Sequence, residues 1–217
     1  MKVVVLLSGG MDSTTLLYHN IKQGNEVFPI SFDYGQRHNK ELIAARNICE
    51  GLGIVTRWKL VNLSNIGYLL PSALTGVGSI PNGHYEDETM KLTVVPNRNM
   101  ILLSIATGYA QGIGAKFVSY AAHSGDHAIY PDCRPEFFYK CGETIGLATG
   151  GEVALEAPYI KLSKADIVRI GSGIGVPYKK TWSCYKGGDK HCGSCGTCVE
   201  RKEAFLLAGV EDPTEYE

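Results

Sequence analysis

Six residues near the amino end, Ser8-Gly9-Gly10-Met11-Asp12-Ser13, combine the side chains and the backbone freedom that a phosphate site requires. Glycine lets the main chain approach a ligand closely, and the opening turn of a following helix offers unpaired N–H groups and positive dipole to an anion. Ser8 and Ser13 add hydroxyl donors, and Asp12 carries the hard oxygen ligands that magnesium prefers. The stretch is neither a Walker A loop, which needs a lysine, nor a G-x-G-x-x-G dinucleotide turn. Six residues alone also suit an ordinary glycine-rich turn between a strand and a helix.

A second group is Cys184-x7-Cys192-x2-Cys195-x2-Cys198. Four thiolates so spaced can close a tetrahedral structural zinc site. CxxCxxC spacing also serves iron–sulfur clusters, and His191 is a spare ligand beside Cys192. Cys49, Cys133 and Cys141 read as small core or loop residues. A third group runs from His123 through Asp126, His127, Tyr130 and Asp132 to Arg134. Carboxylates there can accept two parallel hydrogen bonds from a guanine-like edge, and Tyr130 offers a flat stacking surface. A polar loop with Asx turns is the plainer reading. The fourth group is scattered: Arg37, Arg98, Lys161 and Lys164 clamp phosphate or carboxylate if they stand at strand ends, and are solvated charges if they do not.

These groups need a frame to bring them together. Val3 to Leu7 is an unbroken apolar, mostly β-branched run, the mark of a parallel strand buried on both faces. A helix is expected from about Asp12 to Gln23, a strand over Val27 to Phe32, and a helix over Asn39 to Leu52 with Leu42, Ala45, Cys49 and Leu52 on one face. Strands are expected at 57–62, 117–122 and 153–159, with helices at 99–111 and 135–147. Ser163 with Asp166 three residues on forms a capping box that opens another helix, and a short one follows the cysteines at 199–208. The alternation predicts an α/β fold: a Rossmann-like, doubly wound parallel sheet with a C-terminal zinc-binding segment. Ligands of such sheets bind at the carboxyl ends of the strands, where the Ser8–Ser13 turn and the His123 group both fall. Asp12 is expected in an exposed loop. Residues 71–91 show no period, and suit a lid, a binding loop or a disordered insertion equally.

The 217 residues suit one domain, 1–217, with the zinc segment at about 182–200. Lysines and arginines number 21 against 22 acidic residues, a net charge of −1, so no basic field recruits nucleic acid or an anionic membrane. A hydrophobic share of 44% with 20% charged residues excludes a disordered chain. No stretch reaches the ~20 apolar residues of a membrane span, and the run Val3–Leu7 is too short for a signal peptide. Seven cysteines cannot all pair within the chain, which points to a reducing, cytoplasmic compartment.

Together, Ser8–Ser13, Asp33-Tyr34-Gly35-Gln36-Arg37-His38, Val95-Pro96-Asn97-Arg98-Asn99, Tyr130-Pro131-Asp132-Cys133-Arg134 and the Trp182–Cys198 cysteine segment resemble the 7-cyano-7-deazaguanine synthase (QueC) family. That family is a branch of the PP-loop, or N-type ATP pyrophosphatase, superfamily. The likeness spans nearly the whole chain; the segment AAHSGDHAIYPDCR stands where many relatives carry CETDFSGYPDCR. It implies cleavage of ATP between its α and β phosphates. ATP would drive conversion of 7-carboxy-7-deazaguanine and ammonia to 7-cyano-7-deazaguanine through adenylated acid and amide intermediates, for queuosine and other deazapurine products.

The resemblance also implies roles. Asp12 and Ser13 would be catalytic. ATP, with Mg2+, would be held by Ser8, Gly9, Gly10, Met11, Asp12, Ser13, Thr14, Thr15, Leu16, Leu17, Tyr18, Arg98 and Lys164. The deazaguanine would be bound by Arg37, Tyr130, Asp132 and Arg134. Cys184, Cys192, Cys195 and Cys198 would hold one structural Zn2+ per chain, fixing Trp182–Tyr185 near the base pocket. A homodimer acting on small molecules, with no direct nucleic-acid or membrane partner, is expected, and ammonia would arrive free or from a separate protein. A tRNA-modifying enzyme of the same superfamily shares the loop but usually needs a basic surface or an added domain. A non-enzymatic zinc module explains the cysteines and not the loop.

Overall fold

In the computed structural model, residues 1–76, 78–84 and 87–217 are described. Five parallel strands, β1 (Lys2–Leu6), β2 (Glu26–Asp33), β3 (Lys59–Asn62), β4 (Phe117–Ser119) and β5 (Ala154–Glu156), pair in the order β3-β2-β1-β4-β5. β1 is the centre, and its alternation feeds two cores. Val3, Val5 and Leu7 face α1 (Met11–Lys22), α2 (Lys40–Gly51) and α5 (Lys164–Gly173), through Leu16, Leu17, Ala45, Ile48 and Ile167. Val4 faces α3 (Arg98–Gly112) and α4 (Pro135–Ala148), through Leu103, Ala106, Ala110, Cys141 and Ile145. Burial on both faces is why β1 reads as a continuous apolar run rather than an alternating one. The architecture is the doubly wound α/β sheet the sequence predicts. Its direction of winding reverses between β1 and β4, the place where such sheets leave a crevice.

Differences from the expected boundaries have local causes. β5 stops at Glu156 because Pro158 has no N–H for a ladder and Ala157 begins a turn closed by Ile160 N–H to its carbonyl. β4 ends at Ser119, and after one more hydrogen bond, Tyr120 N–H to Glu156 O at 3.0 Å, the chain bends over the sheet's end. The last helix, α6 (Gly196–Ala208), begins three residues before the expected 199 because Cys195 serves as its N-cap. Ser163 caps α5 with the reciprocal Asp166 bond.

Residues 71–91 are fastened at several points. Ala73 N–H bonds Leu92 O at 2.8 Å, Arg37 N–H bonds Leu74 O at 3.0 Å, and Gly83 N–H bonds Ser194 O at 3.2 Å. Asn82 also pairs with Cys195 in an antiparallel bridge. The described part of this segment is therefore a strap across to the cysteines. No helix of the described residues is long and apolar enough to cross a membrane.

Candidate active site

The cavity opens over the carboxyl ends of β1, β2 and β4, lined at its floor by Leu6, Leu7, Ile30, Phe32 and Tyr120. At one end lies the Ser8–Ser13 turn. Gly9 has φ +92°, and a Cβ there would stand 2.1 Å from Glu41 O and 2.7 Å from Ala45 N, so only glycine lets α2 pack against the turn. Ser8 N–H donates to Ser13 Oγ at 3.1 Å, and the two hydroxyls are 2.9 Å apart. The first intrahelical bond of α1 is Thr14 N–H to Gly10 O at 3.1 Å. The N–H groups of Met11, Asp12 and Ser13 precede it and have no intrahelical carbonyl, an anion site by construction.

Asp12 occupies the first turn of α1 rather than an exposed loop, with its side chain 23% exposed. It misses the loop expectation because helix geometry begins at Met11. Asp12 Oδ2 lies 3.4 Å from Lys164 Nζ and 3.9 Å from His123 Nε2, while Oδ1 is buried without a hydrogen-bond partner. Asp126 Oδ2 is 3.5 Å from His123 Nε2, and Glu200, arriving on α6, closes on Lys164. Burial works against a charged Lys164, yet Asp12, Glu200 and Asp126 hold its pKa well above the ordinary lysine value. Burial in turn raises Glu200, with Lys164 opposing. Lys164 thus remains a cation beside the phosphate turn.

The opposite end is aromatic and cationic. Tyr34, Gln36, Arg37, Arg98, Tyr130 and Tyr185 line it, while Glu41 and Trp182, also in the lining, have their main chains against Gly9 of the turn. Arg98 packs its guanidinium over the Tyr34 ring, 5.9 Å from the centroid. Tyr130 is buried and its hydroxyl is 2.8 Å from Thr93 Oγ1. The Arg37 guanidinium donates to Gly78 O.

The residues singled out from sequence fall into three sets. Ser8, Gly10, Met11, Asp12, Ser13, Arg37, Arg98, Tyr130 and Lys164 line the cavity. Thr14, Thr15, Leu16, Leu17 and Tyr18 do not. Leu16 and Leu17 fill the core under α1, and Thr15 Oγ1 bonds Met11 O at 2.8 Å. Asp132 and Arg134 are also outside the lining. Asp132 Oδ2 accepts Asn99 N–H at 2.9 Å, capping α3, and Arg134 Nε donates to His127 O at 2.8 Å on the surface. Tyr34, Glu41, Ser183 and Thr197 line the cavity without having been singled out. The one sequence signal for Glu41 is a carboxylate beside the apolar stripe of α2, in the first turn, where a helix dipole favours it.

The four cysteines back the same wall. Their Sγ atoms all lie within 4.8 Å of one another, and Cys184, Cys195 and Cys198 are fully buried. N–H groups of Cys192, Ser194 and Cys195 point at Cys184 or Cys192 sulfur, at 3.4, 3.5 and 3.3 Å. The cluster can hold a metal ion. His191 turns away, its Nε2 3.1 Å from Ser183 N. Arg201, fully buried, ties α6 to the approach segment through Thr181 Oγ1 at 2.8 Å, Ser183 Oγ at 3.2 Å and Tyr178 O at 3.1 Å. It is also 3.3 Å from Asp212. Trp182 N–H donates to Gly9 O at 3.0 Å, joining the cysteine segment to the phosphate turn.

Comparison with known proteins shows the family and the fold. The family model described as "Queuosine biosynthesis protein QueC" matches residues 2–209. A 7-cyano-7-deazaguanine synthase of Methanoregula boonei is 55% identical over 218 residues, covering 100% of both chains. One of Caldicellulosiruptor bescii is 56% identical, covering 100% of this chain and 98% of its own. Among solved structures, the U34-tRNA thiolase NcsA from Methanococcus maripaludis with its [4Fe-4S] cluster superposes with TM-score 0.53 at 17% identity, over 99% of this chain and 78% of that one. A 4-thiouridine synthetase in complex with RNA and ATP gives TM-score 0.52 at 17% identity, over 96% and 52%. At that identity the two structures show the shared fold and nothing further.

Proposed function

The chain belongs to the QueC family of queuosine biosynthesis proteins, and from that premise we propose how its residues carry out the family's chemistry. It is a C–N ligase of the 7-cyano-7-deazaguanine synthase type, and the substrates we assign are 7-carboxy-7-deazaguanine, ammonia and ATP. The observation that carries this is the continuity of one cavity, with a phosphate turn at one end and a ring-lined, cationic pocket at the other.

A carboxylate oxygen is a poor leaving group. Attack of the acid oxygen on the α-phosphorus of ATP expels pyrophosphate and leaves an acyl adenylate; ammonia adds at the carbonyl carbon, AMP departs, and a proton is released. The amide oxygen then attacks a second ATP, again expelling pyrophosphate. Loss of AMP and the remaining N–H protons leaves the nitrile. The first-turn N–H groups of α1, Ser8, Ser13 and Lys164 hold the departing pyrophosphate. No side-chain nucleophile is needed, because holding the reactants in attack geometry supplies about 7–11 kcal/mol. Arg37, Arg98 and Tyr130 orient the deazaguanine.

Two metals fit the side chains present. Asp12 Oδ1, buried and unpartnered, suits magnesium accompanying ATP, which supplies charge neutralisation at the phosphates. The cysteine sulfurs suit one structural zinc: a tetrahedral Zn–S4 centre places its sulfurs about 3.8 Å apart, within the 4.8 Å envelope here, whereas a four-iron cube needs a wider one. The single domain, a homodimer and freedom from direct nucleic-acid contact complete the reading, the last supported by the net charge of −1.

The test is stoichiometric. Purified protein is to release AMP with the acid and ammonium but not with tRNA, consuming two ATP per nitrile. The 7-amido compound is to need one ATP and no ammonia. An inert amide, or equal ratios from both compounds, would show that the two-adenylation scheme is wrong.

A further inference from the structure

Three carboxylates line the cavity among the described residues: Asp12, Asp126 and Glu41. They are not equivalent. Asp12 and Asp126 stand at the phosphate end, engaged with Lys164 and His123. Glu41 sits at the second position of α2, and among the described residues its carboxylate accepts no hydrogen bond and lies within ion-pair distance of no cation. Its main chain packs against Gly9, and its charge acts on Tyr34 and Tyr185 of the cavity lining, with Arg98 the cation that acts on it.

Such a group is costly unless a ligand completes it. Glu41 is half-buried, and a carboxylate drawn partly out of water without protein donors regains free energy when a ligand supplies hydrogen bonds. Burial pushes the Glu41 pKa up to about 7, with Arg98 only partly opposing. Asp132, the other acid proposed for a guanine-like edge, has one oxygen on the Asn99 N–H and lies outside the cavity lining. The deazaguanine ring presents N1–H and a 2-amino group side by side, the donor pair that a carboxylate accepts in parallel. Adenine instead offers one amino donor beside a bare ring nitrogen, whose lone pair would face the carboxylate.

We infer that Glu41 is the specificity determinant of the base pocket, accepting N1–H and the 2-amino group of the deazaguanine and excluding adenine-type bases from that end. This rests on the proposed function.

The experiment compares 7-carboxy-7-deazaguanine with 7-carboxy-7-deazahypoxanthine, which lacks only the 2-amino group, in zinc-loaded wild type and in Glu41→Gln. Wild type is to prefer the natural acid by about 10²-fold in kcat/KM, the upper range for a bidentate base contact. Glu41→Gln is to lose most of that activity through KM for the acid, keep KM for ATP within about 3-fold, and discriminate by less than about 3-fold. Glu41→Asp, which retains the carboxylate, is to keep part of the discrimination if the Gln variant proves insoluble. Undiminished discrimination in Glu41→Gln, an equal rise in KM for ATP, or wild-type discrimination under about 3-fold overturns the assignment. Failure of the function itself looks different: wild type then releases no AMP with either acid, and the Glu41 assignment falls with it.

Discussion

The phosphate end of the cavity is made from six consecutive residues whose hydroxyls bond one another, Ser8 to Ser13 at 2.9 Å, at the junction of one strand and one helix. The proposed base pocket draws Tyr34, Glu41, Arg98, Tyr130 and Tyr185 from five separate segments, backed by the cysteine cluster, Arg201 and the described part of the 71–91 strap. A contiguous turn needs only its own strand and helix to be formed. A convergent pocket needs the whole chain to have folded, so its integrity is a matter of global stability and its residues carry little local signal.

If that contrast is right, the heaviest damage comes from the support of the convergent end. Structural zinc contributes on the order of 10 kcal/mol in small domains, so Cys195→Ser is to yield insoluble protein, and wild type is to show one zinc per chain by elemental analysis. Stoichiometric iron with sulfide in place of zinc would break the assignment. Next comes Arg201→Leu, which removes the guanidinium from Asp212, Thr181 and Ser183, although Asp212 keeps the Thr214 N–H and the Tyr216 hydroxyl. Losing hydrogen bonds to a charged group costs about 1.5–3 kcal/mol, read as a lowered urea midpoint; a midpoint equal to wild type would mean that the C-terminal wall does not depend on this tie.

At the contiguous end the effect should appear in rate more than in folding. Asp12→Asn is to lower turnover by about 10²–10³-fold, the scale for removing one electrostatic contact in a reacting site, with a smaller fall in urea midpoint than Arg201→Leu, because Lys164 keeps Glu200. Wild-type AMP release at saturating magnesium would sink the magnesium role. The smallest effect belongs to Ser163→Ala, distant from both ends. Loss of the α5 cap costs about 1 kcal/mol and is to leave kcat/KM for both substrates as in wild type.

What the sequence made legible follows the same division. β1, the phosphate turn, the Ser163–Asp166 cap and the cysteine spacing are encoded within a few residues, and each stands where its pattern places it. Asp132 looked like a base-reading acid because it follows β4, yet its nearest obligation is the bare N–H end of α3, a long-range contact that no local pattern announces. Arg134 turns to the surface for a neighbouring carbonyl. Leu16 and Leu17 follow the phosphate turn in sequence, but helical rotation carries them into the core. Glu41 shows the converse: an unremarkable first-turn acid becomes a cavity residue only because Gly9 lets α2 close on the turn.

The hydrogen bond from Trp182 to Gly9 has an optical consequence. The chain holds two tryptophans. Trp58 lies against the sheet, its indole N–H bonded to Ser31 Oγ at 2.8 Å, away from the cavity lining. Trp182 lines the cavity, with the His191 ring 4.3 Å and the Lys40 ammonium 5.4 Å from its own ring. A chain carrying Trp58→Phe therefore has a single tryptophan, set in the cavity beside the phosphate turn, and its emission excited at the red edge, clear of the tyrosines, is expected to change when ATP or the acid enters.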